Sequence, residues 1–434
     1  MQKIDVLICY EHKNRELESA ARIAAILRLK GYSCEIKQLG WNEPFARLSY
    51  SPKVVVTPWC YDDSDFLKFT CYKGANSHNS FSIINLHCEQ IAFNDAIDFC
   101  LPKGKAKEVF HCCWGQYFEN LLLELGVDPG LIYKTGSPRL DFFRKEYTKT
   151  KEELANAYGL DCSKKWIIIV GNFSQMYWDA KRIKDLSRRG IENAEESKNL
   201  SKESFLGIYN WVKKFLDECE NSSSVELIYR PHPSEQINSL LINLEKGSKS
   251  FHIISDLAIR EWYANSDLSL VWSSTSSVES SYAGTPVISL RPIEIPENKR
   301  FDLIEELDQI KTYEEFEKRI VDCYLGKKQN TNQAFLNSIE FYYGRKTIDA
   351  SMNTANAIDE IICEQRFLCR TANHSFYKNL FSAIRCAFKR LFINMRVGKK
   401  KKSWKTIVSD KVEPKHVEET IQKFILIEQS KNEN

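Results

Sequence analysis

The sequence predicts two α/β domains, each built on a parallel β-sheet with helices on its faces. The main observation is alternation, because short apolar runs typical of buried strands alternate with amphipathic stretches typical of helices. The second observation is length, since 434 residues are enough for two domains and an appendage. We expect an N-terminal domain over residues 1–160, a second domain over 161–365 and a basic helical tail over 366–434.

The first half alternates between apolar and amphipathic segments along its whole length. Its strands are expected at residues 4–10, 34–37, 53–57, 82–86, 109–112 and 131–135, and its helices at 16–30 and 116–125. Loops at the carboxyl ends of parallel strands line the ligand site in such sheets. That rule selects Glu11, His12 and Arg15 after the first strand, and His87 and Glu89 after the fourth strand, as candidate site residues.

The second half repeats the pattern. Strands are expected at residues 166–170, 225–229, 251–255, 268–272 and 287–290, and helices at 203–218, 258–264, 313–324, 331–342 and 347–363. The charged stretch 179–202 is expected to be an exposed insertion. Asn172 and Ser174 follow the strand at 166–170 and offer small polar groups to a donor or an acceptor, although Gly-Asn after a strand is also typical of a simple turn.

A serine-rich turn, S-S-T-S-S-V-E at residues 273–279, follows the strand at 268–272. A helix is expected at 277–282, with Gly284 as its stop. Backbone N–H groups, hydroxyls and the positive end of the helix dipole meet at such a turn and favour an anion. Glu279 is placed to accept from a ribose diol. The phosphate-binding candidates are Ser274, Thr275, Ser276 and Ser277. The alternative is a capped helix in an ordinary α/β unit.

The strand at 225–229 runs directly into the sequence R-P-H-P. Prolines stiffen this turn, and a guanidinium and an imidazole at the end of a strand suit a phosphate. Arg230 and His232 are therefore donor-binding candidates. A lone histidine after a strand is more often structural, but R-P-H-P followed further on by the serine-rich turn is a much more specific pattern.

These two motifs resemble the C-terminal donor domain of a group of bacterial glycosyltransferases with the two-Rossmann GT-B architecture. The group includes polysialyltransferases, Kdo transferases of capsule and lipopolysaccharide, and CDP-glycerol glycerophosphotransferases of teichoic acid synthesis. The sequence is most similar to proteins of surface carbohydrate biosynthesis, which it also resembles in R-E-L at 15–17 and G-S-P-R-L-D at 136–141.

The resemblance implies two Rossmann-like domains that face a central cleft, and a donor held through its phosphate. It implies a nucleotide-activated sugar, with CMP-activated Kdo or another nonulosonic acid first, and a lipid-linked surface polysaccharide as acceptor. The alternatives are a CDP-polyol phosphotransferase, a UDP-sugar epimerase and a non-catalytic scaffold subunit of the same fold.

The resemblance also bears on catalysis. In polysialyltransferase-like enzymes an acidic pair followed by glycine supplies the catalytic carboxylate, and here the corresponding residues are Cys88, Glu89 and Gln90. Glu89 is then the general base or nucleophile, and His87 orients it or binds the acceptor. A solvated loop carboxylate and a structural histidine are the alternatives.

No metal or organic cofactor is expected. Asp63-Ser64-Asp65 spells D-x-D, but carboxylates are common in an acidic run that starts a helix. The chain has neither G-x-G-x-x-G nor a Walker loop, which argues against a nicotinamide cofactor and ATP.

The bulk properties indicate an intracellular protein. The net charge is +3, the fourteen cysteines are scattered, the chain enters a strand without a secretory signal, and no apolar run is long enough to span a membrane. We expect a cytoplasmic enzyme that is peripheral on the inner face of the cytoplasmic membrane.

The expectation of membrane binding rests on the sequence of the C-terminal tail. Residues 365–409 contain no Asp or Glu, and apolar side chains recur there at helical spacing, followed by four lysines at 399–402. This pattern is typical of an in-plane helix on an anionic membrane. A helix packed on the protein and a nucleic-acid patch are the alternatives; the aromatic stripe favours lipid, so no nucleic-acid partner is expected. The stripe consists of Phe376, Leu380, Phe381, Ile384, Phe388, Leu391, Phe392 and Met395.

Overall fold

The computed structural model describes residues 1–75, 78–90, 100–188, 193–232, 234–300, 302–371, 375–394 and 410–432. The strands are β1 (Gln2–Tyr10), β2 (Cys34–Gln38), β3 (Tyr50–Thr57), β4 (Ser80–Asn85), β5 (Phe110–Cys113), β6 (Ile132–Lys134), β7 (Lys165–Val170), β8 (Val225–Arg230), β9 (Phe251–Ile253), β10 (Leu268–Val271), β11 (Val287–Leu290), β12 (Gln309–Ile310) and β13 (Cys369–Arg370).

The helices are α1 (Glu18–Leu29), α2 (Glu43–Ser49), α3 (Asp63–Phe69), α4 (Gln116–Glu124), α5 (Lys151–Tyr158), α6 (Ala180–Arg188), α7 (Ala194–Glu218), α8 (Ser239–Gly247), α9 (Ile259–Tyr263), α10 (Ser276–Ala283), α11 (Asp302–Glu305), α12 (Tyr313–Tyr324), α13 (Gln333–Tyr343), α14 (Ala350–Cys363), α15 (Ser375–Asn394) and α16 (Pro414–Asn432). Within the described ranges, no helix is both long enough and apolar enough to cross a bilayer.

The chain forms two compact units, which we call unit 1 (Met1–Asp141 with Glu340–Asn434) and unit 2 (Phe142–Ile339). The expected boundaries at 160 and 365 both lie later than these. Helix α5 belongs to unit 2 because the N–H of Lys149 donates to Glu261 and Tyr158 packs edge-on against Trp262. The tail is part of unit 1, since α16 packs on α1 and β13 pairs with β4.

Unit 1 contains a sheet with the strand order β2-β1-β3-β4-β5-β6, and β13 pairs with β4 in antiparallel fashion. All other pairs are parallel, as the alternating pattern predicts. Strand β1 lies between β2 and β3, and its residues 6–10 are all apolar and buried, as is typical of an internal parallel strand. The first strand of the chain is therefore internal, and the chain winds away from it in both directions.

Unit 2 contains a parallel sheet with the strand order β12-β11-β10-β7-β8-β9. Its first strand, β7, is again internal. One core cluster packs on this sheet and includes Phe173, Phe215 and Trp272. Helix α10 ends at Gly284, whose φ of 86° is the left-handed conformation that glycine adopts without strain.

The expected insertion at 179–202 is largely helical. Helix α7 starts at Ala194 and runs for 25 residues, so it includes the charged residues that precede the predicted start at 203. Ser201 and Phe205 are buried on one side of this helix. The charged residues cover its solvent face, which is why composition alone suggested an exposed insertion.

Unit 1 is held together at one buried guanidinium. Arg22 on α1 is fully buried and donates from Nη1 to Asp141 at 2.8 Å, from Nη2 to Asp349 at 2.5 Å and from Nε to Glu428 at 2.8 Å. Asp141 also accepts from the N–H groups of Ala350 and Ser351 at the start of α14. One side chain thus joins α1, the 136–141 motif, α14 and α16.

We expect Arg22→Met to destabilise the protein by about 3–5 kcal/mol, because it leaves buried carboxylates without their partner. Arg182→Met is the matched control, since Arg182 pairs with Asp185 on the surface of α6, where a pair contributes about 0–1 kcal/mol. Urea denaturation followed by circular dichroism measures both. Equal midpoints for the two variants would contradict the role given to Arg22.

Candidate nucleotide-binding and catalytic site

Three polar loops lie side by side at the carboxyl edge of the sheet in unit 2. Strand β7 pairs with β10 on one side and β8 on the other. The loops that follow these strands are 171–174, 272–276 and 231–235. The sequence analysis selected all three from their motifs, and the sheet order makes them neighbours.

The strand order reverses between β7 and β10, because the chain leaves β7 toward β8 and later returns to its other side as β10. In open parallel sheets a ligand binds in the crevice at such a switch point. The two loops are linked there, since Asn172 donates from Nδ2 to the carbonyl of Ser273 at 2.7 Å. Ser273 has a positive φ of 38°, which turns the chain sharply into the serine-rich loop.

The accessible groups of the serine-rich loop precede α10. Ser274 and Ser276 are half-buried with their hydroxyls 2.9 Å apart, and Thr275 is exposed. Ser277 is fully buried, and among the described residues its Oγ has no hydrogen-bond partner. Of the four predicted phosphate ligands, the first three are thus open to a ligand and Ser277 is not. Glu279, the predicted ribose ligand, is also buried.

His232 is exposed on the loop after β8. Its Nδ1 lies 2.7 Å from the hydroxyl of Ser234 and accepts from the Ser234 N–H at 3.2 Å. An Nδ1 that accepts places the proton of the neutral ring on Nε2. The histidine therefore has an N–H donor available for a ligand oxygen, as its predicted role requires.

Glu235 is a residue of this site that the sequence analysis missed. Its Oε2 accepts from the N–H groups of Phe173 at 3.0 Å and His232 at 3.4 Å, and its Oε1 accepts from the hydroxyl of Tyr229 at 2.5 Å. A Cβ on Gly171 would lie 2.7 Å from that carboxylate and 2.5 Å from the Tyr229 hydroxyl, so a larger residue there would have to displace these side chains. Glu235 fixes the His232 loop to the loop after β7.

Arg230 does not have the position expected of a phosphate ligand. Its guanidinium is buried and donates to the carbonyls of Ile254, Asp256 and Leu257, which occupies three of its five N–H donors. It also stacks over Trp262 with 5.5 Å from its Cζ to the ring centroid. The motif arginine therefore has a structural role: it holds the loop after β9 beside the His232 loop.

In unit 1, the structure brings together two of the residues expected at the carboxyl edge of the sheet. Arg15 forms an ion pair with Glu89, and both side chains are largely exposed. Glu11 accepts from the indole Nε1 of Trp59 at 2.7 Å. The two carboxylates follow β1 and β4, and Trp59 follows β3, which lies between them in the sheet.

Glu16 and Asp410 shape the loop after β1. Glu16 is buried and accepts from the N–H groups of Glu11 and His12 at 2.6 and 3.2 Å. Burial raises the pKa of its carboxyl group, although both hydrogen bonds act in the opposite direction. Asp410 accepts from the Lys13 N–H at 3.1 Å and lies 3.2 Å from Nδ1 of His12. Sequence spacing gave no sign of Asp410, which is almost four hundred residues away.

His87 is in the interior and not in the open loop. It is fully buried, its Nδ1 lies 3.3 Å from the amide nitrogen of Asn85, and its Nε2 lies 2.8 Å from Nδ1 of His111. Burial lowers the pKa of His87 well below its usual range, and the neighbouring His111 lowers it further. A substrate has no access to this ring, so the catalytic role predicted for His87 is replaced by a structural one.

The carboxylates in and next to the D-x-D run accept hydrogen bonds from backbone N–H groups. Asp62 caps α3 by accepting from the Asp65 N–H at 2.9 Å, Asp65 accepts from the Tyr61 N–H at 2.9 Å, and Asp63 accepts from the Lys105 N–H at 2.6 Å. The described part of the chain contains no group of three His, Cys, Asp or Glu side chains arranged to hold a metal ion.

No sequence-family model and no curated protein matches the chain. Solved structures do match it over most of its length. A candidate UDP-N-acetylglucosamine 2-epimerase from Listeria monocytogenes aligns with 86% of this chain and 100% of its own, at 16% identity and a TM-score of 0.53. The enzyme from Methanocaldococcus jannaschii described as a UDP-GlcNAc 2-epimerase aligns with 83% of this chain and 100% of its own, at 13% identity and a TM-score of 0.50.

A further UDP-N-acetylglucosamine 2-epimerase structure aligns with 86% of this chain and 99% of its own, at 12% identity and a TM-score of 0.50. At this identity the likeness concerns the fold. The chain has the GT-B fold, with two Rossmann-like α/β domains that each contain a parallel sheet. This confirms the predicted fold class.

The buried histidines predict a specific pH dependence. Burial lowers the pKa of His111 to about 4, and that of His87 is lowered as well. The unfolded chain, with histidine pKa values near 6.5, binds more protons in acid. Their contribution to stability is therefore fully present above about pH 6.5 and is lost as the pH falls toward 4.

The double variant His87→Phe/His111→Phe lacks both titrating groups. We expect its free energy of unfolding to fall less between pH 7 and pH 4.5 than that of the wild type, whatever its stability at pH 7. Urea titrations at four or more pH values measure the two slopes. Parallel slopes would mean that the histidine pair does not set the acid sensitivity.

Proposed function

We propose that this protein is a glycosyltransferase that transfers a sugar from a nucleotide donor to a surface-polysaccharide acceptor. Unit 2 binds the donor, and unit 1 supplies the acceptor-side groups. The observation that carries the proposal is the set of three neighbouring loops at the switch point of the sheet in unit 2, which present hydroxyls, an amide and an imidazole. The proposed reaction uses no nicotinamide cofactor and no metal ion.

The donor phosphate is held by hydroxyl and imidazole donors. Ser274, Thr275 and Ser276 offer hydroxyls at the start of α10, where the helix dipole favours negative charge. His232 donates from Nε2, and Asn172 fixes the loop that carries the hydroxyls. Such fixed donors stabilise the charge that develops on the departing nucleotide. Glu235 and Arg230 position the loops without touching the donor.

Glu89 is the proposed general base. It is a solvent-accessible carboxylate at the carboxyl edge of unit 1, and Arg15 holds it in place. A carboxylate in this position takes the proton from an acceptor hydroxyl as the glycosidic bond forms. Glu11 follows β1, which is separated from β4 by β3, and it accepts from the indole of Trp59. It is assigned to acceptor positioning with His12 and Arg15.

The motif resemblance favours CMP-activated Kdo or another nonulosonic acid as donor and a lipid-linked glycan as acceptor, with a CDP-polyol phosphate second. A UDP-sugar 2-epimerase is the second candidate function, because the solved structures with the same fold described above carry that description. An epimerase needs the nucleotide site but no acceptor, so the two functions are separated by their products.

The donor site is tested by thermal denaturation with nucleotides, since a ligand that binds only the folded state raises its melting temperature. We expect CMP or CDP to raise the melting temperature and UDP, ADP and NAD to do so much less. His232→Ala removes the imidazole donor. We expect this variant to need roughly tenfold more nucleotide for the same rise in melting temperature, since a hydrogen bond to a charged group contributes about 1.5–3 kcal/mol.

His416→Ala is the matched control, because His416 is an exposed histidine on α16. It should keep the wild-type response. A response to UDP equal to that of the cytidine nucleotides would favour the epimerase, and no response to any nucleotide would contradict the donor site.

The chemistry is tested by incubating the protein with CMP-Kdo and membrane extract, and separately with UDP-GlcNAc alone. A transferase releases CMP only with acceptor, whereas an epimerase forms UDP-ManNAc without one. We expect Glu89→Gln to lower kcat by about 100-fold or more while donor binding is unchanged, because general base catalysis contributes about 10²–10⁴.

Glu124→Gln, an exposed carboxylate at the end of α4, is the matched control and should retain full activity. A Glu89→Gln variant with wild-type kcat would remove Glu89 from the reaction. Absence of any turnover by the wild-type protein that still binds nucleotide would favour a scaffold subunit.

A further inference from the structure

Helix α15 is attached to unit 1 in an unusual orientation. A surface helix ordinarily buries its apolar face and exposes its polar face. Here the side chains that meet the protein are small or polar: Asn379, Ala383 and Cys386 are buried, at spacings of four and three residues. Asn379 donates to the carbonyl of Cys71 at 2.7 Å. The protein therefore holds this helix by a stripe of small and polar side chains.

The side of α15 next to this stripe is aromatic and exposed. Phe376, Tyr377, Phe381 and Phe388 are 61%, 72%, 69% and 58% exposed, and Ile384 and Leu391 are exposed as well. At 100° per residue, these six positions fall within an arc of about 140°. Single exposed apolar residues are normal in proteins, but a continuous aromatic face on one helix marks an interaction surface.

The charges around this face indicate the kind of partner. Lys378 and Arg385 are exposed beside the aromatic arc. Residues 365–409 contain twelve Lys and Arg and no Asp or Glu, and the basic run at 399–402 lies outside the described residues. Basic side chains beside an apolar face match a surface that is negatively charged outside and apolar beneath, which is an anionic lipid bilayer.

The helix also has a defined place on unit 1. Its C-terminal half contacts the loop after β2, where Arg390 stacks on Trp41 and Phe45 with 4.5 Å to each ring centroid and donates to the side chain of Asn42 at 2.9 Å. Strand β2 is the neighbour of β1. The C-terminal end of α15 is thus at the same edge of the sheet as the loop with Glu11 and Arg15.

We propose that the aromatic face of α15 is an in-plane docking surface for an anionic membrane. The helix lies along the bilayer surface with its aromatic arc among the acyl chains and its basic residues at the headgroups. The carboxyl edge of unit 1 is then held beside the membrane, where a lipid-linked acceptor is found. The docking itself does not depend on the proposed donor or reaction.

Co-flotation of the full-length protein with vesicles tests the proposal. We expect binding to vesicles of phosphatidylcholine with phosphatidylglycerol, little binding to phosphatidylcholine alone, and weaker binding at high ionic strength. The double variant Phe381→Glu/Phe388→Glu should bind at least about tenfold less, because two charges replace side chains that enter the apolar layer. Leu426→Glu, at a 67% exposed position on α16, is the matched control and should bind like the wild type.

The substituted side chains are exposed, so the variants should keep the wild-type melting temperature and the nucleotide response. Failure of the wild type to float, equal binding to neutral vesicles or wild-type binding by the double variant would overturn the proposal. So would a wild type that is dimeric in solution and becomes monomeric in the double variant, because the aromatic face would then be covered by a second copy. Nucleotide binding reports on the donor site separately, so the two proposals can fail independently.

Discussion

The position of the first strand is the constraint on which both halves of this protein depend. In each unit the first strand is internal, β1 between β2 and β3 and β7 between β8 and β10, so the chain must wind away from it twice in opposite directions. The loops that leave these strands separate at the switch point and open a crevice. Every accessible candidate residue, from Glu11 and Glu89 to His232 and Ser276, lies at such a carboxyl edge.

Charged side chains in the interior hold the loops and helices around the two sheets in place. Arg22 joins elements that are distant in sequence, and Asp141 ties it to the start of α14. In unit 2, the buried Arg230 and the half-buried Glu235 fix loops through backbone groups. A buried ionic group of this kind is costly to desolvate, but removing one partner is costlier still, so these residues define one arrangement of the chain. Motif residues that resemble ligands thus support the loops that carry the ligands.

The sequence predicted the alternating elements and the loops well, because apolar periodicity and sheet topology depend on local patterns. It identified Ser274–Ser276 and Glu89 as accessible groups at strand ends. It did not predict that the side chains of His87 and Ser277 are buried. A shift of one residue along the backbone moves a side chain from the exposed side to the buried side, and the sequence pattern does not resolve a shift of that size. Asp410 and Glu235 act through tertiary contacts that no spacing rule reveals. The exposed apolar residues of α15 belong to the predicted stripe, whose members Phe392 and Met395 lie outside the side chains that the structure describes. Arg390 packs on Trp41.

Hydrogen–deuterium exchange with and without nucleotide tests the central claim most directly, because it reports each loop separately. The account predicts that CMP or CDP slows exchange at the backbone amides of residues 171–177, 232–236 and 273–278, and leaves residues 11–17 and 86–90 of unit 1 unchanged. Protection confined to the loops of unit 1, or no protection at the serine-rich loop at saturating nucleotide, would contradict it.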